Sequence, residues 1–241
     1  MPTSVEKRKA AARAQMWNRL DDARAVIGGS SHGKIPNFVG ATRAADRLTT
    51  LDAWQQARVI KAVPDKAQLP ARIAALEAAK TVYMAVPKLA SKHPFNRLDT
   101  RNDTVPATEL ADSNTSAAHA IPVTVDEVEP VDLIICGSVA VDRRGARLGK
   151  GAGYSDIEVA LLAEAGLIGP NTTITTTVHQ LQVVDDELPE ADHDFRVDLI
   201  VTPDEVITCG PQRRPSGLAW SNLTDAKIAA IPVLAARANS R

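Results

Sequence analysis

Apolar positions along the 241-residue chain recur first at helical spacing and then in short strand-like runs. From Val5 to about Ala25, in VEKRKAAARAQMWNRLDDARA, strong helix formers run without a turn signal, and Met16, Trp17 and Leu20 fall on one side. Lys9 and Arg13 lie one turn apart in the same stretch, so the predicted N-terminal helix is amphipathic with a basic edge. GGSSHGKIPNF interrupts the pattern and GATRAADRLTTLDAWQQA resumes it. The first helix is therefore expected to be an arm packed on a later body.

In that body β-rich runs alternate with helical ones: RVIKAV, LPARIAALEAA, then TVYMAV between Thr81 and Val86. VDLIICGSVAV is rich in β-branched residues without polar alternation, the signature of a strand covered on both faces. DIEVALLAEAG reads as a helix, TTITTTVH as a strand, and RVDLIVTPDEVITC as two strands around a Pro-Asp turn. Strands separated by helices predict an α/β protein with a mostly parallel sheet. Residues 91–120 are polar and turn-rich, and are expected to form one long loop, functional or mobile. The chain is expected to be a single domain, with a core over about 5–222 and a C-terminal tail over 223–241.

Composition adds mainly exclusions. Apolar residues make up 44% and charged residues 24%, as in ordinary globular proteins. Lys plus Arg (28) nearly balances Asp plus Glu (29), so nothing draws the whole molecule to nucleic acid or an anionic membrane. Any phosphate site must be local. No apolar run approaches the roughly 18 residues of a membrane span, and the N-terminus lacks a signal-like segment, so a cytoplasmic location is expected. Cys136 and Cys209 form no CxxC pair and read as buried thiols, while Trp17, Trp54 and Trp220 read as packing anchors.

The chemistry concentrates in GARLGKGAGYSD, residues 145–156. Glycines at 149, 151 and 153 permit positive φ and bring backbone amides close to a ligand. The helix expected after Gly153 adds a positive dipole, and Arg147 and Lys150 add full charges, a combination suited to an anion. Asp156 would repel a polyphosphate unless a cation such as magnesium lay between them. The simpler alternative is a flexible turn in which Asp156 is the helix N-cap, worth about 1 kcal/mol with no ligand. The loop is neither a Walker A motif, since Gly151 follows Lys150, nor the GxGxxG dinucleotide fingerprint. His179 and His193 with Asp185, Asp186 and Asp194 make a second, weaker metal candidate, for which solvated acids are the plainer reading.

RLGKGAGYSD resembles the signature of the 5-formyltetrahydrofolate cyclo-ligases, or methenyltetrahydrofolate synthetases: Arg-Leu-Gly, then GxG, another glycine, two aromatics and Asp. KAAAR resembles that family's Lys-x-x-x-Arg helix, and HDFRVDLIVTP its late Asp-containing segment. KIPNFVGATRAADRL, VPDKAQL, VDLIICGSVAV and VHQLQVVD are similar to the branch of methenyltetrahydrofolate synthase domain-containing proteins. Together these segments cover most of residues 7–220.

The resemblance implies a three-layer α/β/α fold. It also implies closure of 5-formyltetrahydrofolate to 5,10-methenyltetrahydrofolate with ATP and magnesium, releasing ADP and phosphate. Lys9 and Arg13 would hold ATP phosphates from the first helix. Arg147, Leu148, Gly149, Lys150, Gly151, Ala152, Gly153, Tyr154 and Ser155 would form the phosphate loop, with Lys150 the catalytic cation that follows the moving phosphoryl charge. Asp156 and Asp194 would bind magnesium, and Tyr154 and Asp65 would face the substrate, a reduced formyl-folate or related pterin. Two positions depart from the pattern: Ser155 replaces the second aromatic, and VPDKAQL, with Asp65, stands where the family carries a glycine-glutamate element. These departures motivate an alternative, a nucleotide-binding module of the same fold acting in regulation or protein interaction. No nucleic-acid or membrane partner is expected, and oligomeric state is not read from the sequence.

Overall fold

The structure is a computed structural model that describes residues 3–100, 105–210, 212 and 214–239. Helix α1 (Ser4–Asp22) starts where the Thr3 side chain accepts from the Glu6 amide, and ends before Arg24, whose φ is +53°. The next helical run divides into α2 (Ala41–Thr49) and α3 (Asp52–Gln56). The hydroxyls of Thr49 and Thr50 bond back to the carbonyls of Asp46 and Arg47, competing with the helical ladder at the break.

The body follows as β1 (Val59–Ala62), α4 (Leu69–Glu77), β2 (Thr81–Ala85), β3 (Phe95–Leu98), α5 (Ala107–Ala111), β4 (Ile121–Val123) and β5 (Leu133–Cys136). Then come β6 (Ala140–Asp142), β7 (Arg147–Leu148), α6 (Tyr154–Glu164), β8 (Thr173–Thr177), β9 (Val183–Val184), β10 (Leu199–Val201), β11 (Val206–Thr208), α7 (Asp225–Ala230) and α8 (Pro232–Ala238). The main sheet has the order β11-β10-β8-β5-β1-β2-β3-β4. Its five central strands, β10 to β2, are parallel, and the outer three are antiparallel to their neighbours.

The alternation of side chains across β1 and β5 builds the layers. Ile60, Ala62, Leu133 and Ile135 pack with α2 to α5, whereas Val59, Ile134 and Cys136 pack with α6 and α8. This is the three-layer α/β/α arrangement expected. The chain runs from β1 outward to β2 and later returns to place β5 on the other side of β1, so the strand order reverses between β1 and β5. Beyond the carboxyl ends of such strands the connections diverge and leave a crevice.

Three expectations need correction. VDLIICGSVAV is two strands in different sheets, separated by residues 137–139, and an added Cβ on Gly137 would lie 2.9 Å from Ile35 Cγ2. Its second half, β6, joins β7 and β9 in a small sheet. Residues 91–120 are not one loop: they hold β3 and α5, with Phe95, Leu98, Leu110 and Ala111 buried, although 101–104 lie outside the described residues. Residues 223–239 are not a loose tail either, since Ile231 and Leu234 are fully buried in the core. In 91–120 the apolar positions are too sparse to show a period.

Helix α1 is docked as expected. Met16 and Leu20 bury against Val139, Ala140 and Leu148 of the small sheet, which brings the basic edge of the helix beside the glycine loop that follows β7. Among the tryptophans, Trp54 is buried, and Trp17 and Trp220 are half-buried. Cys136 is buried and Cys209 half-buried; burial raises both thiol pKa values, Cys209 to about 12.

Candidate functional site

A cavity of about 440 Å³ opens at the carboxyl ends of β1 and β2, close to the strand-order reversal. Its floor is formed by Val63–Asp65 and Val86–Lys88, and its wall by α1 and the glycine loop. Every site residue expected from the sequence lines it: Lys9, Arg13, Asp65, the run from Arg147 to Asp156, and Asp194. The loop spans two positive-φ glycines, Gly151 (+98°) and Gly153 (+70°), and Gly153 occupies the N-cap of α6. Asp156 is thus the third residue of the helix and not its cap, which removes the simple capping explanation. Its carboxylate turns instead to Arg147, with Nη1 to Oδ1 at 3.4 Å.

The basic side chains are each held by a specific contact. Lys9, buried, has its Nζ 2.5 Å from Asp194 Oδ2. Arg13 Nε donates to the carbonyl of Gly149 at 2.7 Å, and a Cβ on Gly151 would lie 3.2 Å from its Nη1, so the guanidinium rests against the bare loop backbone. Arg147 lies over the Phe195 ring, 4.4 Å from its centroid, and Nη2 donates to the Gly137 carbonyl. Its Nε is buried with no hydrogen-bond acceptor among the described residues. Lys150 is the freest of the four: half-exposed, with its Nζ 3.5 Å from Asp65 Oδ1.

Burial depresses the pKa of Arg13, opposed by Glu6, Asp194 and Asp156. It raises the pKa of Asp156, which Arg147 pulls down and Asp194 pushes up further. Five basic side chains (Lys9, Arg13, Lys88, Arg147, Lys150) face five acidic ones (Glu6, Asp65, Asp156, Glu158, Asp194) around the cavity. A polyphosphate would not find an excess of positive charge here and would fit best with a divalent cation beside it. Among the described residues no three His, Cys, Asp or Glu side chains converge as a ready metal cage. Two carboxylates together with phosphate oxygens and water suit magnesium, which keeps much of its hydration. The bare glycine backbone and the unpartnered Arg147 Nε likewise suit a phosphate.

The second metal candidate is not assembled. His179 accepts from the Leu181 amide through Nδ1, and Asp185 is an exposed partner of Arg143, whereas His193 lies beside Asp194 and Asn222 at the main cavity. Sequence reasoning missed Glu158, which lines the cavity floor. Its carboxylate pairs with Lys61 Nζ on β1, a lysine with no exposed surface. The available signal was a single charge inside each of two otherwise apolar runs, VIKAV and IEVALL.

The profile of the 5-formyltetrahydrofolate cyclo-ligase family matches residues 5–203, a span that contains every residue lining the cavity of about 440 Å³. The chain belongs to this family. Among its curated relatives, this cyclo-ligase-family chain is 38% identical to the methenyltetrahydrofolate synthase domain-containing protein of Bos taurus, covering 92% of this chain and 60% of the relative. With the protein of that name from Mus musculus it shares 38% identity, covering 97% of this chain and 64% of the relative. The chain thus spans less than two thirds of the length of these relatives. The NMR structure of Aquifex aeolicus 5,10-methenyltetrahydrofolate synthetase shares the fold, with a TM-score of 0.54 and 18% identity over 88% of this chain and 95% of that one. The family and branch that the loop and the other quoted segments resemble are those found. No described helix is long and apolar enough to cross a membrane.

Proposed function

We propose that this chain, folding as one domain and acting in the cytoplasm, closes 5-formyltetrahydrofolate to 5,10-methenyltetrahydrofolate, consuming ATP with magnesium and releasing ADP and phosphate. The observation that carries the reading is the convergence of Lys9, Arg13, Arg147 and Lys150 on one glycine loop beside Asp156 and Asp194. The formyl oxygen attacks the γ-phosphorus as the bond to the bridging oxygen breaks and ADP leaves. The second folate nitrogen then attacks the activated carbon, the carbon–oxygen bond breaks, and the proton that this nitrogen loses leaves with the phosphate as hydrogen phosphate.

This chemistry asks the protein for position and charge, not for a nucleophile. Lys9 and Arg13 hold the phosphate chain from α1, the loop amides cradle it, and Lys150, loosely tied, follows the phosphoryl charge. Asp156 and Asp194 hold magnesium, which supplies charge neutralisation on the phosphates. Tyr154 and Asp65 bound the substrate's side of the cavity. An absorbance assay for the methenyl product tests the reading: product is expected only when ATP, magnesium and formyl-folate are all present, and its absence from folded protein would reject it.

A second reading has its own observation. Ser155 and the Pro64–Asp65 turn leave the substrate's side without the second aromatic and the glutamate of the family pattern. A nucleotide-binding module that has lost folate turnover, acting in regulation or protein interaction, would gain thermal protection from ATP and none from formyl-folate. Protection by each ligand separately would count against it.

A further inference from the structure

The family match ends at residue 203, yet the chain beyond it returns to the glycine loop. Ile231 and Leu234 anchor the C-terminal helices in the core beside α6, and Thr224 caps α7 by accepting from the amide of Lys227. This anchoring delivers the Lys227 ammonium to the loop. Its Nζ donates to the carbonyl of Ala152 at 2.5 Å and lies 3.8 Å from the centroid of the Tyr154 ring. No carboxylate among the described residues forms an ion pair with it. Burial lowers its pKa. Lys227 also lines a second cavity, of about 730 Å³, which shares Gly151 to Gly153, Asp156 and His193 with the first. The loop is therefore a partition with cavity on both sides, and Lys227 is, among the described residues, the one lysine or arginine lining the far side, where Glu6, Asp156, Glu190 and Asp192 also stand without forming an ion pair to it.

We propose that Lys227 is a phosphate-contacting residue of this site, supplied from outside the span that the family profile matches. The inference rests on the nucleotide reading given above. A half-buried ammonium bonded only to a neutral carbonyl and a ring face has unused donors, and an anion lying across Gly151–Gly153 is the partner its position fits. Holding the Ala152 carbonyl between two positive-φ glycines, it also keeps the loop in shape before the anion arrives.

The test is titration of the intact chain with magnesium-ATP and, separately, with inorganic tripolyphosphate, for wild type, Lys227→Met and Lys227→Arg. Lys227→Met keeps the aliphatic packing and is expected to weaken both ligands about tenfold, with Lys227→Arg restoring most of the loss. The unliganded thermal midpoint should hardly move, because the side chain is partly exposed. Wild-type affinity for both ligands in Lys227→Met would overturn the inference, as would a loss confined to ATP with tripolyphosphate unchanged. Should Lys227→Met fold poorly, Lys227→Gln replaces it in the same comparison. Failure of the wild type itself to bind ATP would overturn the nucleotide reading together with this one, and so is distinguishable from failure of Lys227 alone.

Discussion

The two sides of the cavity are built differently. On the loop side, three of the four basic groups are fixed by close contacts, Lys9 by Asp194, Arg13 by the Gly149 carbonyl, and Arg147 by Asp156, Phe195 and the Gly137 carbonyl, and Lys150 has one long contact to Asp65. On the strand-end side, Val63, Pro64, Val86 and Pro87 offer small apolar surfaces, and Asp65 and Lys88 are the charges at the rim. The loop side follows the cyclo-ligase pattern closely, and the strand-end side, with neighbouring Ser155, departs from it. Binding a phosphate chain requires backbone and charge in one geometry, which tolerates little change. Binding a ring system requires surface, which many side chains can supply. The difference locates where this chain departs from the family pattern: on the side of the cavity opposite the glycine loop.

The sharpest way to break the comparison is on the loop. Lys150→Ala should lower kcat by about a hundredfold or more, with an unchanged thermal midpoint, since the side chain is half-exposed and makes one long contact. Unfolding of this variant would instead assign the loop a structural role. Beneath the cavity floor, Lys61→Met leaves the Glu158 carboxylate buried and unpaired and should cost about 3–5 kcal/mol in denaturant unfolding. Adding Glu158→Leu should recover most of that loss. If the double variant is no better than the single one, the pair is not the source of the cost.

Asp156 gives a pH-dependent test of the same side. Burial raises its pKa above the ordinary 3.8, so folding favours the protonated acid. The resulting stabilisation is complete below the ordinary value and is lost as pH rises through the raised one. Asp156→Asn lacks that loss, so its thermal midpoint should gain on the wild type as pH rises above about 4, while magnesium-dependent ATP binding weakens. Parallel midpoints across that range would contradict the shift. The smallest effect belongs to the strand-end side. Ser155→Tyr restores a ring there and should lower the formyl-folate KM about fivefold, with the KM for ATP unchanged.

What the sequence disclosed follows the range of the interactions. Strands β1 and β2, helix α6 and the glycine loop are set by neighbouring residues, and each was legible in its own stretch. The position of Asp156 in the helix was not, because Gly153 takes the cap in the left-handed conformation and shifts the start of α6 to Tyr154. The Lys61–Glu158 pair joins residues 97 apart and Lys227 meets Ala152 across 75, distances over which no local period carries information. The split of VDLIICGSVAV sends its two halves to different sheets, whose partner strands come from other parts of the chain.

The central claim is that ATP-driven closure of the formyl-folate occurs here, with the formyl oxygen as the atom phosphorylated. Supplying 5-formyltetrahydrofolate labelled with oxygen-18 in the formyl group, with magnesium-ATP, and analysing the released phosphate by mass spectrometry tests it most directly. One labelled oxygen per phosphate, in step with methenyl product, is the expected result. Unlabelled phosphate, or phosphate released without methenyl product, would contradict it.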